Sequence, residues 1–422
     1  MPLLLAQQDA LLKDAYEGSV REQLNNEVPL LKILEGSDRS WSGRRVVYPI
    51  HTTRNSGVGS RNENGTLPTG GNQGHELAVV TATYFYARGR LSGQTMAAGK
   101  HAFAEALATE MDGLVNDAKV DLGRQTWGTG DGRLAQVGVS ATVDASQILL
   151  FNRFAEPQQP GARYINQNGL YDFGIVSNPD QNGINVQVTA IQRSSNPATT
   201  SDTILVTTTF SILSSSEFVF VASAGGCGIE AMGLQGIVDE FSTTNMWGAN
   251  AFFGSALNGL NRATIGAWNA QIMGNSGVTR IIDSNLMQTA FDNIHVETGL
   301  EPDLIMGEHG VVRALLDSVA SDRRYVSQGA PKYDAGFSSL SYNGVTIERD
   351  RQAPYNSLLV CKKAALKVFK LKEMGFADDD GSILDRVAGS DLWDFWLRMY
   401  WNIACDGNMK SLLFIRDIRT DL

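Results

Sequence analysis

Hydrophobic positions recur at helical spacing in two N-terminal segments. Residues 8–26 repeat an apolar side chain every four positions, which predicts a short amphipathic helix. A longer stripe over residues 98–127 predicts a helix of roughly 40 Å at about 1.5 Å per residue. The stripe consists of Phe103, Leu107, Met111, Leu114, Ala118 and Leu122. The opposite face carries Glu105, Glu110, Asp112, Asp117 and Asp121, so we expect an acidic outer surface.

The period changes to that of β-strands between the two helical segments. Residues 44–52 and 76–91 are rich in Val, Tyr, Phe and Thr, the residues that strands prefer. The segment between them contains six glycines, too many for a packed core. This arrangement predicts a long hairpin with a flexible tip.

Residues 133–233 contain short β-prone runs separated by Asn, Pro, Ser and Gly turns. The runs are residues 146–151, 184–192, 203–213 and 217–224. Such spacing predicts a small sandwich or barrel, inserted into a body that reads as α/β on either side.

The C-terminal half alternates helical and strand patterns. A helix is predicted with Asp283 or Ser284 as its N-cap and Gly299 as its stop. Its apolar stripe is Leu286, Ala290 and Ile294. Residues 301–326 predict a buried strand and then a helix with Val312, Leu315, Leu316 and Val319 on its apolar side. Residues 344–371 predict two more strands, and residues 391–418 predict two long strands around the turn Asp406-Gly407.

Charge is distributed unevenly along the chain. The 422 residues have a formal net charge of −10, which argues against a dedicated nucleic-acid binder. Residues 39–100 nevertheless hold eight Lys or Arg and only two acidic residues, a net of +6. This basic segment is either a solvated loop or an arm that reaches an acidic surface on another subunit.

Candidate chemistry is sparse. Cys227, Cys361 and Cys405 are far apart in the sequence and form no disulfide or zinc pattern. No signal peptide or membrane-spanning run is recognisable, so we expect a soluble protein made in the cytoplasm. HExxH, GxSxG, GxGxxG and Walker motifs do not occur, and we expect neither an enzyme nor a cofactor.

Two local clusters have competing interpretations. Oxygen donors of the kind that calcium prefers are concentrated at Asp378, Asp379, Asp380 and Asp385, but their spacing does not fit an EF-hand and favours a surface turn. The aromatic side chains Trp393, Phe395, Trp396, Tyr400 and Trp401 suggest either a sugar-binding platform or a strand buried on both faces. The period-two alternation favours the buried strand.

The order of segments resembles the Hong Kong 97-like fold of tailed-phage major capsid proteins. The segments that carry the resemblance are "EVPLLKIL", the glycine-rich hairpin, the acidic helix, "GLEPDLIMGEHGVVRALL" and "VTIERDRQAPYNSLLVC". The resemblance implies an α+β chain with an all-β insertion domain. Its implied parts are an N-arm (1–38), an E-loop (39–94), the P-domain spine helix (95–132), the inserted β domain (133–235), the A domain (236–354) and the return strands of the A and P domains (355–422).

The resemblance also implies a function: self-assembly into hexamers and pentamers of an icosahedral shell around phage double-stranded DNA. Expected inter-subunit contacts join Arg44, Arg45, Arg54 and Arg61 of the E-loop to Glu105, Glu110 and Asp112 of the spine helix. Expected partners are a separate scaffolding protein and a portal, with a decoration protein as an open candidate, while DNA lies inside without specific binding. The E-loop has no lysine between Lys32 and Lys100, so lysine cross-linking is not expected.

Two alternatives stay open at this point. One is an encapsulin-like cellular compartment shell, although encapsulins are usually shorter and lack such an insert. The other is a virion attachment or carbohydrate-binding protein that uses the β insert as its binding module. The insert itself could serve subunit contacts, decoration or stability within a capsomer.

Overall fold

The computed structural model describes most of the chain. The described residues are 28–36, 41, 43–94, 100–138, 145–152, 161–175, 178–193, 202–210, 217–222, 229–239, 256–320, 340–378 and 382–420. The helix predicted over residues 8–26 lies outside them. Among the helices that the structure describes, none has the length and apolar character needed to cross a membrane.

The described part of the chain contains five α-helices, numbered here in chain order. They are α1 (Pro29–Ile33), α2 (Lys100–Trp127), α3 (Leu234–Ile237), α4 (Ser284–Thr298) and α5 (His309–Ala320). Helix α2 confirms the long helix expected over residues 98–127. Helix α4 confirms its predicted ends, because the Asp283 side chain accepts a hydrogen bond from the Leu286 amide and Gly299 adopts a left-handed conformation.

The strands are also numbered in chain order. The first ten are β1 (Glu35–Gly36), β2 (Arg45–Thr53), β3 (Gly74–Thr81), β4 (Thr83–Ser92), β5 (Ala135–Val137), β6 (Ala145–Asn152), β7 (Leu170–Ile175), β8 (Asn178–Gln192), β9 (Asp202–Phe210) and β10 (Phe218–Val221). The others are β11 (Ala256–Leu257), β12 (Leu260–Asn261), β13 (Gln271–Met273), β14 (Leu304–Gly307), β15 (Ser341–Tyr342), β16 (Val345–Arg349), β17 (Leu358–Cys361), β18 (Leu366–Phe376), β19 (Asp385–Arg386), β20 (Leu392–Cys405) and β21 (Leu412–Ile415).

A sheet of five strands is built around β20, and we call it the β20 sheet. Strands β4 and β18 pair antiparallel with β20 on its two sides, and β1 and β19 extend the sheet. Phe395 and Leu397 are buried on one face of β20, and Asp394 and Arg398 are buried on the other. The aromatic segment is therefore a strand buried on both faces, as its alternation predicted.

Helix α2 packs on the apolar face of the β20 sheet. Leu107 and Met111 share a hydrophobic cluster with Phe395 and Leu91. At the next turn Val115 is fully buried, whereas Leu114, the residue of the predicted stripe, is half-buried. The side chains of residues 101–106, including Phe103 and Glu105, lie outside the described ones.

The second predicted strand of the hairpin is in fact two strands in different sheets. The chain breaks at Ala82, so β3 pairs with β2 while β4 joins β20. Side chains replace ladder bonds at the break: Asn402 Nδ2 donates to the Thr81 carbonyl at 2.8 Å, and Thr83 Oγ1 donates to the Trp401 carbonyl at 2.6 Å. The prediction of one continuous strand over residues 76–91 is therefore wrong.

The second large sheet has six strands in the order β13-β21-β17-β14-β16-β15. Helices α4 and α5 contribute to its apolar cluster with Ile294 and Leu315, which pack with Val360 and Leu413 of the sheet. Residues 344–371 supply three strands to the two sheets, not the two predicted.

The C-terminal segment also differs from the prediction of two long strands around the turn Asp406-Gly407. Strand β21 has only four residues and lies in the six-stranded sheet, beside β17 rather than β20. The reason is a 3₁₀ turn over Met409–Ser411, which the Asn408 side chain caps by accepting from the Lys410 amide at 3.0 Å. The turn redirects the chain away from the β20 sheet.

Residues 135–221 contain a closed barrel with the strand order β10-β5-β6-β9-β8-β7. Its interior is filled by buried side chains that include Phe173, Val188, Ile204 and Val219. The β-prone segment is thus a barrel, and closure leaves it no free sheet edge. Strands β5 and β7 were not among the predicted runs.

Candidate assembly surface

Strands β2 and β3 form a two-stranded ribbon, and together with the loop of residues 54–73 they make up the arm of this chain. Burial alternates along β2 and along the end of β3 that pairs with its first residues. Val46 and Tyr48 face inward, opposite Val80 and Ala78 of β3, and all four are buried. The intervening residues form the outward face of the ribbon. Four of them, Val47, Pro49, Leu77 and Val79, are apolar.

The outward face of the ribbon consists of directly paired residues. Val47 lies opposite Val79, and Pro49 lies opposite Leu77. Val47 and Leu77 are exposed by 46% and 59%, large fractions for apolar side chains at adjacent positions. By the same alternation Arg45 lies on this face, at the base of the ribbon. An apolar strip next to a cation is typical of a surface that docks onto another protein.

The base of the arm is held firmly by the body of the chain. The Tyr48 hydroxyl donates to the Cys405 carbonyl at 2.7 Å, and its ring stacks on Phe369 with centroids 5.9 Å apart. Burial raises the pKa of the Cys405 thiol to about 12, so this contact lies in a dry, unreactive core. These contacts fix the base of the arm to the body of the chain.

The two legs of the loop approach each other closely beyond the ribbon. The Asn55 side chain accepts from the Gly57 amide at 2.7 Å, and a Cβ at Gly71 would lie 2.7 Å from Ser56 Oγ. A larger residue at position 71 would therefore need the Ser56 and Asn55 side chains of the opposite leg to shift. Past this neck Val58 and Leu67 are exposed by 84% and 86%, so the tip also presents apolar side chains.

The predicted basic contact residues lie on the arm and at its base. Arg44, Arg45, Arg54 and Arg61 are all exposed. Among the described residues, no carboxylate lies within ion-pair distance of any of these four guanidinium groups. Arg61 donates from Nη1 to the neighbouring Ser60 carbonyl at 3.1 Å. Four cations therefore point to solvent in the single chain.

The predicted acidic partners lie on helix α2. Glu110 and Asp112 are exposed and, within the described part of the chain, have no ion-pair partner. Asp121 is different, because it accepts from Arg124 Nε and Gln125 Nε2, both at 2.8 Å. Within one chain the structure describes no ion pair between the arm arginines and these helix acids.

Two further arginines of the basic segment have a partner in the same chain that the sequence analysis missed. Arg90 Nε lies 2.7 Å from Asp394 Oδ1, and Arg88 bonds the other oxygen of the same carboxylate. The Asp394 side chain is only 4% exposed, so the pair compensates a buried charge. The period-two spacing of Arg88 and Arg90, which places both on one face, was the available signal.

A second set of charges that sequence reasoning missed closes the C-terminal end of helix α2, and we call it the helix-end cluster. Arg124 bonds Asp121 Oδ1 at 2.8 Å and Glu230 Oε2 at 3.0 Å. Burial alone would lower the pKa of Arg124, but the two carboxylates outweigh it and hold the pKa above its ordinary value. One turn on, Trp127 Nε1 donates to Asp350 Oδ2 at 2.8 Å.

The calcium candidates do not come together in what the structure describes. Asp378 is half-buried, Asp385 begins the short strand β19, and Asp379 and Asp380 lie outside the described residues. In the described ranges no three His, Cys, Asp or Glu side chains are grouped so that they could hold a metal ion.

Comparison with known proteins gives a fold but no sequence family. No protein-family model and no curated protein matches the chain. In structure it is similar to a chain of the cyanophage A-1(L) capsid asymmetric unit, with a TM-score of 0.58, 11% identity and 93% of each chain covered. It is also similar to a chain from the capsid of an empty GTA particle, with a TM-score of 0.50, 7% identity, and 93% of this chain and 90% of that chain covered. The chain therefore has a phage capsid protein fold.

Proposed function

We propose that this chain is the major capsid protein of a tailed double-stranded DNA phage and assembles into the icosahedral head shell. The observation that carries the proposal is the shared fold, which extends over 93% of this chain and of the cyanophage capsid chain. A match of this extent is not confined to one common motif. The role is structural, in the virion, and requires no catalytic site.

The proposed layout is that of the Hong Kong 97-like fold. The arm corresponds to the E-loop, helix α2 to the spine helix, and the barrel to an inserted β domain. The β20 sheet with helix α2 corresponds to the P domain, and the six-stranded sheet with α4 and α5 to the A domain. The support is that the ribbon, β4 and helix α2 follow one another in the chain, and that strand β20, which comes near the C-terminal end, pairs with β4 and packs against α2.

The proposed contact between subunits places the arm of one copy on helix α2 of the next. Arg44, Arg45, Arg54 and Arg61 would face Glu110, Asp112 and Glu105 across the interface. Each exposed ion pair contributes only about 0.2–1 kcal/mol. The apolar strip of Val47 and Leu77 would supply further binding energy, at about 25 cal/mol per Å² buried. The shell is then stabilised collectively, because every copy makes the contact twice, once as donor of the arm and once as acceptor.

The proposal includes the partners expected of such a shell. Hexamers and pentamers of this chain would form the lattice, with a separate scaffolding protein and a portal during assembly. A decoration protein is a further candidate partner. The acidic net charge of −10 would limit adhesion to the packaged DNA, which we expect to lie inside without specific binding.

The test is electron microscopy of the purified full chain, expressed with and without a co-expressed scaffolding protein of the same phage. We expect closed shells, or capsomers and sheets of hexamers, in at least one of the two preparations. Strictly monomeric or dimeric particles in both preparations would contradict the proposal.

A further inference from the structure

His51 and His75 face each other across the ribbon. They are direct cross-strand partners, and theirs is the last pair before the register becomes irregular at Thr53. Their ring centroids lie 5.4 Å apart with the planes at 67°. Both side chains are exposed, so a solute can reach them. The pair stands where the ribbon ends and the loop of residues 54–73 begins.

This separation fits two imidazoles that share one metal ion. A zinc–nitrogen bond is about 2.0–2.1 Å, and a ring centre lies about 1.1 Å beyond its nitrogen, so two histidines at a tetrahedral angle have centroids about 5 Å apart. A small side-chain rotation would bring the observed centroid distance of 5.4 Å to that value. The strands themselves impose the spacing, because directly opposed residues have Cβ atoms about 4.5–5.5 Å apart.

The pair next to the histidines toward the base of the ribbon, on the same face, carries no charge. That pair is Pro49 and Leu77; toward the loop the register is irregular, and the next paired residues are Thr53 and Gly74. Gly74 has no side chain to cover the rings. Alternation places Glu76 on the opposite face, and Arg45 lies three pairs away at the base of the ribbon.

We propose that His51 and His75 form a two-histidine site for a divalent transition metal ion of the Zn²⁺ or Ni²⁺ class. Neutral imidazole is the commonest protein ligand for such ions, whereas Mg²⁺ and Ca²⁺ prefer oxygen donors. Two protein ligands leave the other coordination positions to water or to a donor from another molecule. The bound ion joins β2 to β3 at the neck of the arm and so restricts the loop beyond it.

The inference is independent of the shell proposal, because both ligands belong to one chain. It is tested by calorimetric titration of the tag-free full chain with NiCl₂ and, separately, with ZnCl₂. We expect one equivalent to bind, and we expect His51→Ala and His75→Ala each to weaken binding by at least tenfold. His309→Ala is the matched control, since His309 is exposed on helix α5, and it should bind as the unmodified chain does.

A second measurement locates the ion. Hydrogen exchange of residues 45–53 and 74–81 should slow on adding ZnCl₂ to the unmodified chain, and should not change in His75→Ala or on adding MgCl₂. Binding that survives in both histidine variants, or the absence of any binding to the unmodified chain, overturns the assignment.

Discussion

The arginines of the arm and the arginine of the helix-end cluster carry the same charge in opposite surroundings. Arg44 and Arg45 are exposed and, among the described residues, have no carboxylate partner. Arg124 has a side chain only 3% exposed and is held between Asp121 and Glu230. The cluster uses its charge within the chain, where removing one partner leaves another buried and uncompensated. The arm leaves its charge available to a second molecule.

This difference separates two properties that mutations often confound, the stability of the subunit and its capacity to assemble. Changes in the helix-end cluster should act on the free energy of unfolding. Changes in the arm should leave that free energy alone and act on the interface between copies. The following predictions test the separation, from the largest effect to the smallest.

Replacing Arg124 with Ala should produce the largest loss of stability. The change leaves Glu230 and Asp121 without their shared cation, and breaking a buried pair in this way costs about 3–5 kcal/mol. Urea unfolding of unassembled subunits, followed by circular dichroism, measures the effect. Arg349→Ala, at an exposed position, is the control and should change the free energy by less than about 0.5 kcal/mol. A loss below about 1 kcal/mol for Arg124→Ala would show that the cluster does not stabilise the fold.

Replacing Trp127 with Phe should have an intermediate effect. It removes the buried indole donor of Asp350 Oδ2, while Asp350 Oδ1 keeps its bond from the Gln352 amide at 2.7 Å. Leaving a buried acceptor without a partner costs about 1–3 kcal/mol. The same urea titration measures the change, and a variant as stable as the unmodified chain would argue against a role for this bond.

Replacing Arg44 and Arg45 with Ala should leave the unfolding free energy within about 0.5 kcal/mol, because both side chains are exposed. Assembly yield, measured by sedimentation, should fall severalfold. The charge-matched double variant Arg349→Ala/Arg351→Ala, outside the arm, should assemble normally. An unchanged assembly yield of the Arg44/Arg45 variant would show that these two residues do not contribute to the interface.

Raising the salt concentration should change the free energy of unfolding of the subunit least of all these changes. It should weaken assembly moderately. The Debye length falls from about 10 Å at 0.1 M to about 3 Å at 1 M, which screens exposed pairs more than buried ones. Light scattering should show that the critical concentration for assembly is higher at the higher salt concentration. The free energy of unfolding of the subunit should change little. Assembly that is insensitive to salt would mean that apolar contacts alone hold the arm.

The sequence was sufficient where a local pattern determines the structure. The spacing of Leu107, Met111 and Leu122 predicted helix α2 and its buried side, and Asp283 and Gly299 gave both ends of α4. Alternation along β20 predicted a strand buried on both faces. Each of these features depends on residues a few positions apart.

It was insufficient where distant segments decide the outcome. Arg124 and Glu230 are 106 positions apart, and no spacing rule connects them. Strand β21 was predicted as a second long strand after β20, but it has four residues and pairs with β17 in a sheet assembled from several segments. The break at Ala82 depends on the Asn402 side chain, which is equally remote. Such contacts are chosen by tertiary packing, which overrides local preference.

The most direct test of the account is a charge exchange within one chain. Arg44→Glu/Arg45→Glu and Glu110→Arg/Asp112→Arg should each abolish assembly by placing like charges at the contact, and both should fold. Combining all four substitutions should restore assembled particles in electron micrographs, because every arm then meets a helix of opposite sign. Failure of the combined variant to assemble, with subunits as stable as the unmodified chain, would contradict the pairing of the arm with helix α2 of a neighbouring copy.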